Sequence, residues 1–203
     1  MLAAVAFLAA WLLKINVFNF LSMEPKDTIL AITGLLFGPV PALLTAVTVS
    51  FAEMLFISTT GWIGFIMNIH SSGTFVLTAS AIYKQHRTLK GAILGLCAGT
   101  VLMALVMLLW NYLITPLYMN MTREAVKAYL PTVFLPFNLV KGALNTGLTM
   151  LLYKPLVRAL KKANLLPEEH RDRGQREKRS TIWVIGISAV ILLVCVILIF
   201  KWH

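Results

Sequence analysis

The sequence predicts an all-α polytopic membrane protein, and three observations lead to this fold class. Its 203 residues are 59% hydrophobic, and their mean hydropathy is +0.81. Charged residues make up 13% of the chain, about half of the roughly 25% that is usual in soluble domains. Several apolar runs reach the roughly 20 residues with which a helix crosses a bilayer.

The first part of the chain alternates apolar segments with short breaks. In order, it predicts an apolar helix at residues 1 to about 20, a polar turn at 22–28, and two short helices at 29–38 and 42–56. The first segment starts so close to Met1 that we expect the beginning of its helix to be missing. Gly38-Pro39 separates the two short helices, because glycine and proline interrupt helices. Such a break suits a protein that builds a binding cavity within the membrane.

The second part of the chain predicts longer helices. In order, it contains helices at 61–83, 91–119, 122–129 and 131–163, a charged linker at 164–180, and a uniformly apolar span at 181–200. The helix at 122–129 is short and polar enough to lie at the membrane interface. We therefore predict one membrane domain over residues 1–163, followed by the linker and by an additional C-terminal transmembrane helix within 181–203.

The basic residues predict an orientation and argue against nucleic acid as a partner. The net charge is +10, but most basic residues lie in two hydrophilic segments, at 83–90 and 154–179. Basic loops of this kind mark the cytoplasmic side of a cell membrane and contact its anionic lipid. Alternation of the helices then places the N-terminus inside and His203 outside. Neither Cys97 nor Cys195 has a CxxC partner, so we expect no disulfide framework and no zinc site.

Three polar side chains interrupt the apolar run at 131–163. Asn138, Lys141 and Asn145 have the spacing i, i+3, i+7, which places them on one face of a helix. An ionisable group at membrane depth is costly and usually faces a cavity or a partner. These residues are therefore candidates for ligand binding. The alternative is hydrogen bonding between helices, with Lys141 either snorkelling or pairing with Glu53.

Other polar residues in the apolar helices allow two interpretations. Asn111 lies between two aromatic residues, which fits an interfacial aromatic belt as well as the rim of a pocket that stacks a flat ligand. Asn68 and His70 lie in the middle of their helix. Since His70 has no second ligand at i+4, we expect it to pack and hydrogen-bond rather than to bind a metal. Glu53 lies near the outer end of its helix, where it can reach water.

Two sets of small residues have the four-residue spacing that lets membrane helices approach closely. They are Ala6 and Ala10 in the first helix, and Gly91, Gly95 and Gly99 in a later one. Packing within the chain is the ordinary use of such residues, and contact with a partner membrane subunit is the alternative. The sequence contains no P-loop, HExxH or GxSxG motif. It therefore argues against an ATPase and against a membrane-embedded enzyme.

Three longer stretches together resemble a known family. They read KDTILAITGLLFGPVPALLTAVTVSFAEM (26–54), WNYLITPLYM (110–119) and LPFNLVKGALNTGLTMLLYK (135–154). In this order they are similar to the substrate-binding S components of energy-coupling factor (ECF) transporters, and especially to the riboflavin-binding subgroup. The likeness covers about residues 1–163.

The resemblance implies a six-helix S-component bundle with a short, broken second helix, to which the C-terminal helix is additional. It also implies a substrate-specificity subunit of an ECF-type ABC importer, which binds riboflavin or a related flavin from outside. Such a subunit is not an enzyme and has no cofactor besides the transported vitamin. Its implied partners are a transmembrane coupling subunit and two ABC ATPases, which hydrolyse ATP.

The resemblance also implies roles for particular residues. Asn111, Asn138 and Lys141 occupy the positions of flavin-contacting residues, with Lys141 donating to a carbonyl oxygen of the isoalloxazine ring. Ala6 and Ala10 resemble the family's contact with the coupling subunit. The candidate substrate-binding set is Glu53, Asn68, Asn111, Asn138, Lys141 and Asn145.

The chain also departs from the riboflavin-binding pattern. Members often carry an acidic residue, a lysine and an asparagine on the third helix, where this chain has Ala46, Val49 and Ser50, with Glu53 one turn on. WIGF (62–65) replaces a PVGE-like sequence before the fourth helix. Another vitamin, such as pantothenate, folate or a pyrimidine precursor, is therefore an alternative ligand. A stand-alone secondary carrier is an alternative function.

Overall fold

The computed structural model describes residues 1–18, 21–58 and 60–162, together with 190, 193–195 and 197. The predicted linker at 164–180 lies outside the described residues. Within the predicted C-terminal helix, the five described residues are helical, and the remainder lies outside the described residues.

Helices dominate the described part of the chain, as predicted. In order, the elements are α1 (Leu2–Leu12), β1 (Ile15–Phe18), β2 (Leu21–Met23), α2 (Lys26–Phe37), α3 (Pro39–Phe56), α4 (Gly61–Gln85), α5 (Leu89–Met119), α6 (Arg123–Tyr129), a π-helical turn (Leu130–Phe134) and α7 (Leu135–Lys162). The predicted short helix at 122–129 is present as α6. Three helical segments are long and apolar enough to cross a membrane in this part of the chain: Pro39–Phe56, Gly61–Gln85 and Leu89–Leu117.

A β-hairpin follows α1, so the prediction of a helix to about residue 20 is wrong. The helix ends at Leu12, and β1 pairs antiparallel with β2 through Ile15↔Met23 and Asn16↔Ser22. Residues 15–18 read INVF, and β-branched and aromatic residues favour strands. Met23 is buried in a cluster that includes Phe134 and Phe137. The hairpin is therefore held by residues more than a hundred positions away.

The break predicted at Gly38-Pro39 is present. Gly38 has φ +95°, a backbone conformation that residues other than glycine rarely adopt. Pro39 begins α3, a position where its missing N–H costs nothing. The break makes α2 a separate helix of 12 residues, ten of them buried. Because α2 contacts α1, α3, α4 and α7, it is the central helix of the bundle.

The small residues serve internal packing. A Cβ added to Gly95 would lie 2.6 Å from the carbonyl oxygen of Ala79, and one added to Gly99 would lie 2.8 Å from the carbonyl oxygen of Phe75. These glycines therefore let α5 approach the backbone of α4. Ala6 and Ala10 are 0% and 1% exposed. In this conformation they face the bundle, which is the ordinary use of such residues, and their contact with a partner subunit stays a prediction.

Candidate functional site

A cavity of about 450 Å³ lies within the bundle. Its walls come from the hairpin region, the C-terminal end of α3, the first turns of α4, and the facing parts of α5 and α7. Apolar side chains such as Met67, Met107 and Phe137 form part of the lining. The charged and amide side chains that line it are Lys14, Glu24, Glu53, Asn68, Asn111, Asn138 and Lys141. Apolar walls with a few placed polar groups are typical of small-molecule sites of this size.

The structure brings five of the six candidate residues to this cavity. Glu53, Asn68, Asn111, Asn138 and Lys141 line it, although they lie on four different helices. Their role in binding a ligand stays a prediction.

Asn145, the sixth candidate, has a different environment. Its Oδ1 accepts a hydrogen bond of 2.9 Å from the Thr28 hydroxyl, and its Nδ2 donates to the carbonyl oxygen of Lys141. Asn145 therefore ties α7 to α2 and lies away from the cavity lining. The i+7 spacing predicted a shared helical face correctly, but it carried no information on where along that face the cavity ends.

The two asparagines on α5 and α7 are held in the same way. Asn111 Nδ2 donates to the carbonyl oxygen of Met107, and Asn138 Nδ2 donates to that of Phe134, each at 2.7 Å. Both side chains are almost fully buried. One amide proton of each is used by its own helix, which fixes the amide and leaves its second proton available to a ligand.

A charged cluster of Lys14, Glu24, Lys26, Asp27, Glu53 and Lys141 surrounds one side of the cavity. It contains three ammonium groups and three carboxylates. Lys26 Nζ contacts Glu24 Oε2 at 2.7 Å and also pairs with Glu53 Oε2. Lys14 Nζ lies 3.3 Å from Glu24 Oε1. Pairing of this kind is what allows charges to be buried at all.

Lys141 belongs to the same cluster. Its Nζ lies 3.5 Å from Asp27 Oδ2, and Asp27 Oδ1 accepts a 2.5 Å hydrogen bond from the Ser72 hydroxyl. Lys141 is 5% exposed. Bonding between helices, the alternative interpretation, is therefore present for Lys141, but the snorkelling and the pairing with Glu53 that it specified are wrong. Its partner is Asp27, and Glu53 pairs with Lys26.

The turn at 22–28 is the part of the site that sequence reasoning missed. The sequence predicts only a polar turn there, yet Glu24, Lys26 and Asp27 are buried, at most 3% exposed. Glu53 was also expected to reach water, and it is 4% exposed. One signal was available: the chain has eight acidic residues, and three of them precede residue 60 in its apolar first part.

Glu24 is held as a carboxylate. Burial of Glu24 opposes its ionisation, but the ammonium groups of Lys26, Lys141 and Lys14 outweigh that effect and hold the pKa of Glu24 well below its ordinary value. The hydroxyl of Ser22 adds a hydrogen bond of 2.9 Å to Oε1. Glu24 is therefore a fixed negative charge at the cavity wall at neutral pH.

Three buried polar atoms of lining residues have no hydrogen-bond partner among the described residues: Glu24 Oε2, Glu53 Oε1 and Ser71 Oγ. Glu24 Oε2 has the ammonium group of Lys26 as its ion-pair partner at 2.7 Å, which leaves Glu53 Oε1 and Ser71 Oγ. Buried polar groups are nearly always hydrogen-bonded, so such atoms indicate a missing partner. A carboxylate oxygen accepts only, and it therefore requires a donor such as a hydroxyl group. Within the described part of the chain, no group of His, Cys, Asp and Glu side chains is arranged to hold a metal ion.

Comparison with known proteins gives a consistent result. A family model described as "ECF transporter, substrate-specific component" matches residues 1–153. The riboflavin transporter RibU of Staphylococcus aureus is 31% identical over 170 residues, which cover 80% of this chain and 89% of that protein. The riboflavin transporter FmnP of Bacillus subtilis is 24% identical over 159 residues, covering 72% of this chain and 84% of the relative.

A solved structure is also similar. It is described as the structure and mechanism of the S component of a bacterial ECF transporter, and it matches with a TM-score of 0.66 at 31% sequence identity. The match covers 79% of this chain and 94% of the other.

Proposed function

This chain belongs to the substrate-specific components of ECF transporters, and we propose that it is the riboflavin-binding subunit of such an importer. The observation that carries the proposal is the likeness to RibU over most of both chains, joined to a cavity whose polar groups suit a flavin. A flavin combines a flat ring, which has polar atoms on one edge, with a flexible chain of hydroxyl groups. The polar groups that line this cavity would complement both ends of such a molecule.

The ring end of the ligand would lie against Asn111, Asn138 and Lys141. Lys141 has three ammonium protons and, among the described residues, one ion pair, at 3.5 Å to Asp27, so it retains a proton for a ring carbonyl oxygen. The amides of Asn111 and Asn138 can each donate and accept, as the alternating donors and acceptors of the ring edge require. Met107 and Phe137 supply apolar area for the ring faces.

The hydroxyl end of the ligand would lie against Glu53, Asn68 and Ser71. Hydroxyl groups would donate to the unpaired Glu53 Oε1 and would satisfy the Ser71 hydroxyl. Asn68 already donates to Glu53 Oε2 at 2.8 Å. This arrangement supports riboflavin over flat vitamins that lack a hydroxylated chain.

The departures on the third helix do not oppose this assignment. Ala46, Val49 and Ser50 are at most 1% exposed and pack inside the protein, away from the cavity lining. Glu53, one turn further on, supplies an acidic group to the lining. The acidic group of the site would therefore lie seven residues, about two turns, further along α3 than Ala46.

We propose that this chain has the helix arrangement of an S component and works with the partner subunits of an ECF importer. Helices α1–α5 and α7 would form the six-helix membrane domain over residues 1–163, with 164–180 as a cytoplasmic linker and 181–203 as an additional transmembrane helix. The N-terminus and the basic loops would be cytoplasmic. A transmembrane coupling subunit and two ABC ATPases would complete the importer, and membership of the family supports this.

Uptake of labelled riboflavin tests the transport role. We expect uptake in cells that express this chain together with a coupling subunit and its ATPases, and none when the ATPases carry inactive nucleotide sites. Riboflavin uptake by this chain without those partners would instead indicate a stand-alone carrier.

A further inference from the structure

Lys26 is the most deeply buried charged side chain of the cluster, at 0% exposure. It begins α2, and α2 contributes no residue to the cavity lining. Its ammonium group contacts Glu24 Oε2 at 2.7 Å and Glu53 Oε2. Lys26 therefore lies behind the wall, in contact with two carboxylates that form part of it.

Two donors converge on one oxygen of Glu53. Lys26 Nζ and Asn68 Nδ2 both donate to Oε2, while Oε1 is buried without a hydrogen-bond partner among the described residues. A carboxylate held through one oxygen has a fixed orientation, and its other oxygen remains free to accept. The free oxygen belongs to a residue that lines the cavity.

Lys26 is itself fixed from the other side. Glu24 Oε2 contacts the ammonium group, while Glu24 Oε1 accepts from the Ser22 hydroxyl at 2.9 Å and lies 3.3 Å from Lys14 Nζ. The hairpin and α3 are thus connected through Lys26. Without the ammonium group, Glu53 would be a buried carboxylate with one amide donor, and it would rotate or become protonated.

We infer that Lys26 is a positioning residue that presents Glu53 Oε1 as the acceptor for a hydroxyl group of the ligand. This inference rests on the proposed function, in which the ligand is riboflavin. It predicts that Lys26, acting through Glu53, affects binding of the hydroxylated chain of the ligand and not binding of the ring. The other carboxylate that Lys26 contacts, Glu24, is also held by Ser22 and Lys14.

A double-mutant cycle on Lys26→Met and Glu53→Gln tests this inference. The dissociation constants of riboflavin and of lumiflavin, which has the same ring without the hydroxyl chain, are measured by flavin fluorescence on folded, monodisperse protein. We expect Lys26→Met to weaken riboflavin binding by about tenfold or more and to leave lumiflavin binding unchanged. Lys26→Met/Glu53→Gln should bind both flavins as Glu53→Gln alone does.

The cycle remains informative if Lys26→Met fails to fold, since the double variant removes the buried carboxylate together with its partner. A double variant with the affinity of Glu53→Gln would then support the inference. Additive losses, equal losses for both flavins, or an unchanged affinity in Glu53→Gln would overturn it. If the unchanged chain binds riboflavin and lumiflavin equally, the inference is overturned and the proposed function stands. If the unchanged chain binds no riboflavin, the proposed function itself fails, which is a distinguishable result.

Discussion

At the scale of single residues, the central feature is a lysine inside an apolar helix. Lys141 is tolerated because Asp27, from a distant part of the chain, supplies the opposite charge. Breaking a buried ion pair on one side costs about 3–5 kcal/mol, because it leaves a charge without compensation. Lys141 therefore has two separable roles, in binding and in stability.

A variant that removes both Lys141 and Asp27 should separate the role of Lys141 in binding from its role in stability. We expect Lys141→Met to weaken riboflavin binding and to lower the melting temperature in detergent. Asp27→Asn/Lys141→Met should recover most of the melting temperature and none of the affinity, because it removes both charges but not the need for an ammonium donor. Lys127→Met, at an exposed lysine of α6, is the matched control. If the double variant regains affinity, Lys141 does not contact the ligand.

Two asparagines on α7 form a natural comparison. Asn138 lines the cavity, whereas Asn145 bonds to Thr28 and lies away from the lining. We expect Asn138→Ala to raise the riboflavin dissociation constant by about tenfold, since one buried hydrogen bond to the ligand is lost. Asn145→Ala should lower the melting temperature and leave the affinity of the folded fraction unchanged. Titration of both variants checks this, and the reverse pattern would place the ligand elsewhere on α7.

Residue types alone predicted only part of this site. Asn111, Asn138 and Lys141 stand out because amides and an ammonium group are unusual in an apolar run. Glu24, Lys26 and Asp27 did not stand out, because charges beside a proline normally mark an exposed turn. Their burial depends on partners as far away as Lys141, and such pairing is set by tertiary packing rather than by local sequence.

At the scale of elements, the break between α2 and α3 follows from a glycine and a proline in the sequence. The break at Gly38-Pro39 was predictable, because backbone conformation there is a local property. The hairpin was not, because residues 15–18 are as apolar as the helix before them. Their strand conformation requires β2 and the cluster around Phe134.

The close approach of α5 to α4 gives a prediction at this scale. We expect Gly95→Ala to destabilise the protein by about 1–3 kcal/mol, as overpacking generally does, because its Cβ would lie 2.6 Å from the carbonyl oxygen of Ala79. Leu94→Ala, at an exposed neighbouring position, is the control and should have a smaller effect. Thermal unfolding in detergent measures both. Equal melting temperatures for Gly95→Ala and the unchanged protein would contradict the close packing.

At the scale of the whole molecule, the site depends on the arrangement of the bundle. Four helices and the hairpin region line the cavity, while α2 supplies the charges behind it. The cluster balances three ammonium groups with three carboxylates, so an uncharged ligand can enter without disturbing it. The general class was predictable from hydropathy, whereas the position of the cavity required the packing of distant segments.

Titration of the purified, flavin-free protein with riboflavin tests the central claim most directly. We predict saturable quenching of riboflavin fluorescence with one site per chain, competition by lumiflavin, and no competition by pantothenate or folate. The same titration with Asn111→Ala should show weaker binding, because Asn111 lines the cavity. Absence of riboflavin binding by the unchanged protein, or identical binding by the Asn111→Ala variant, would contradict the account.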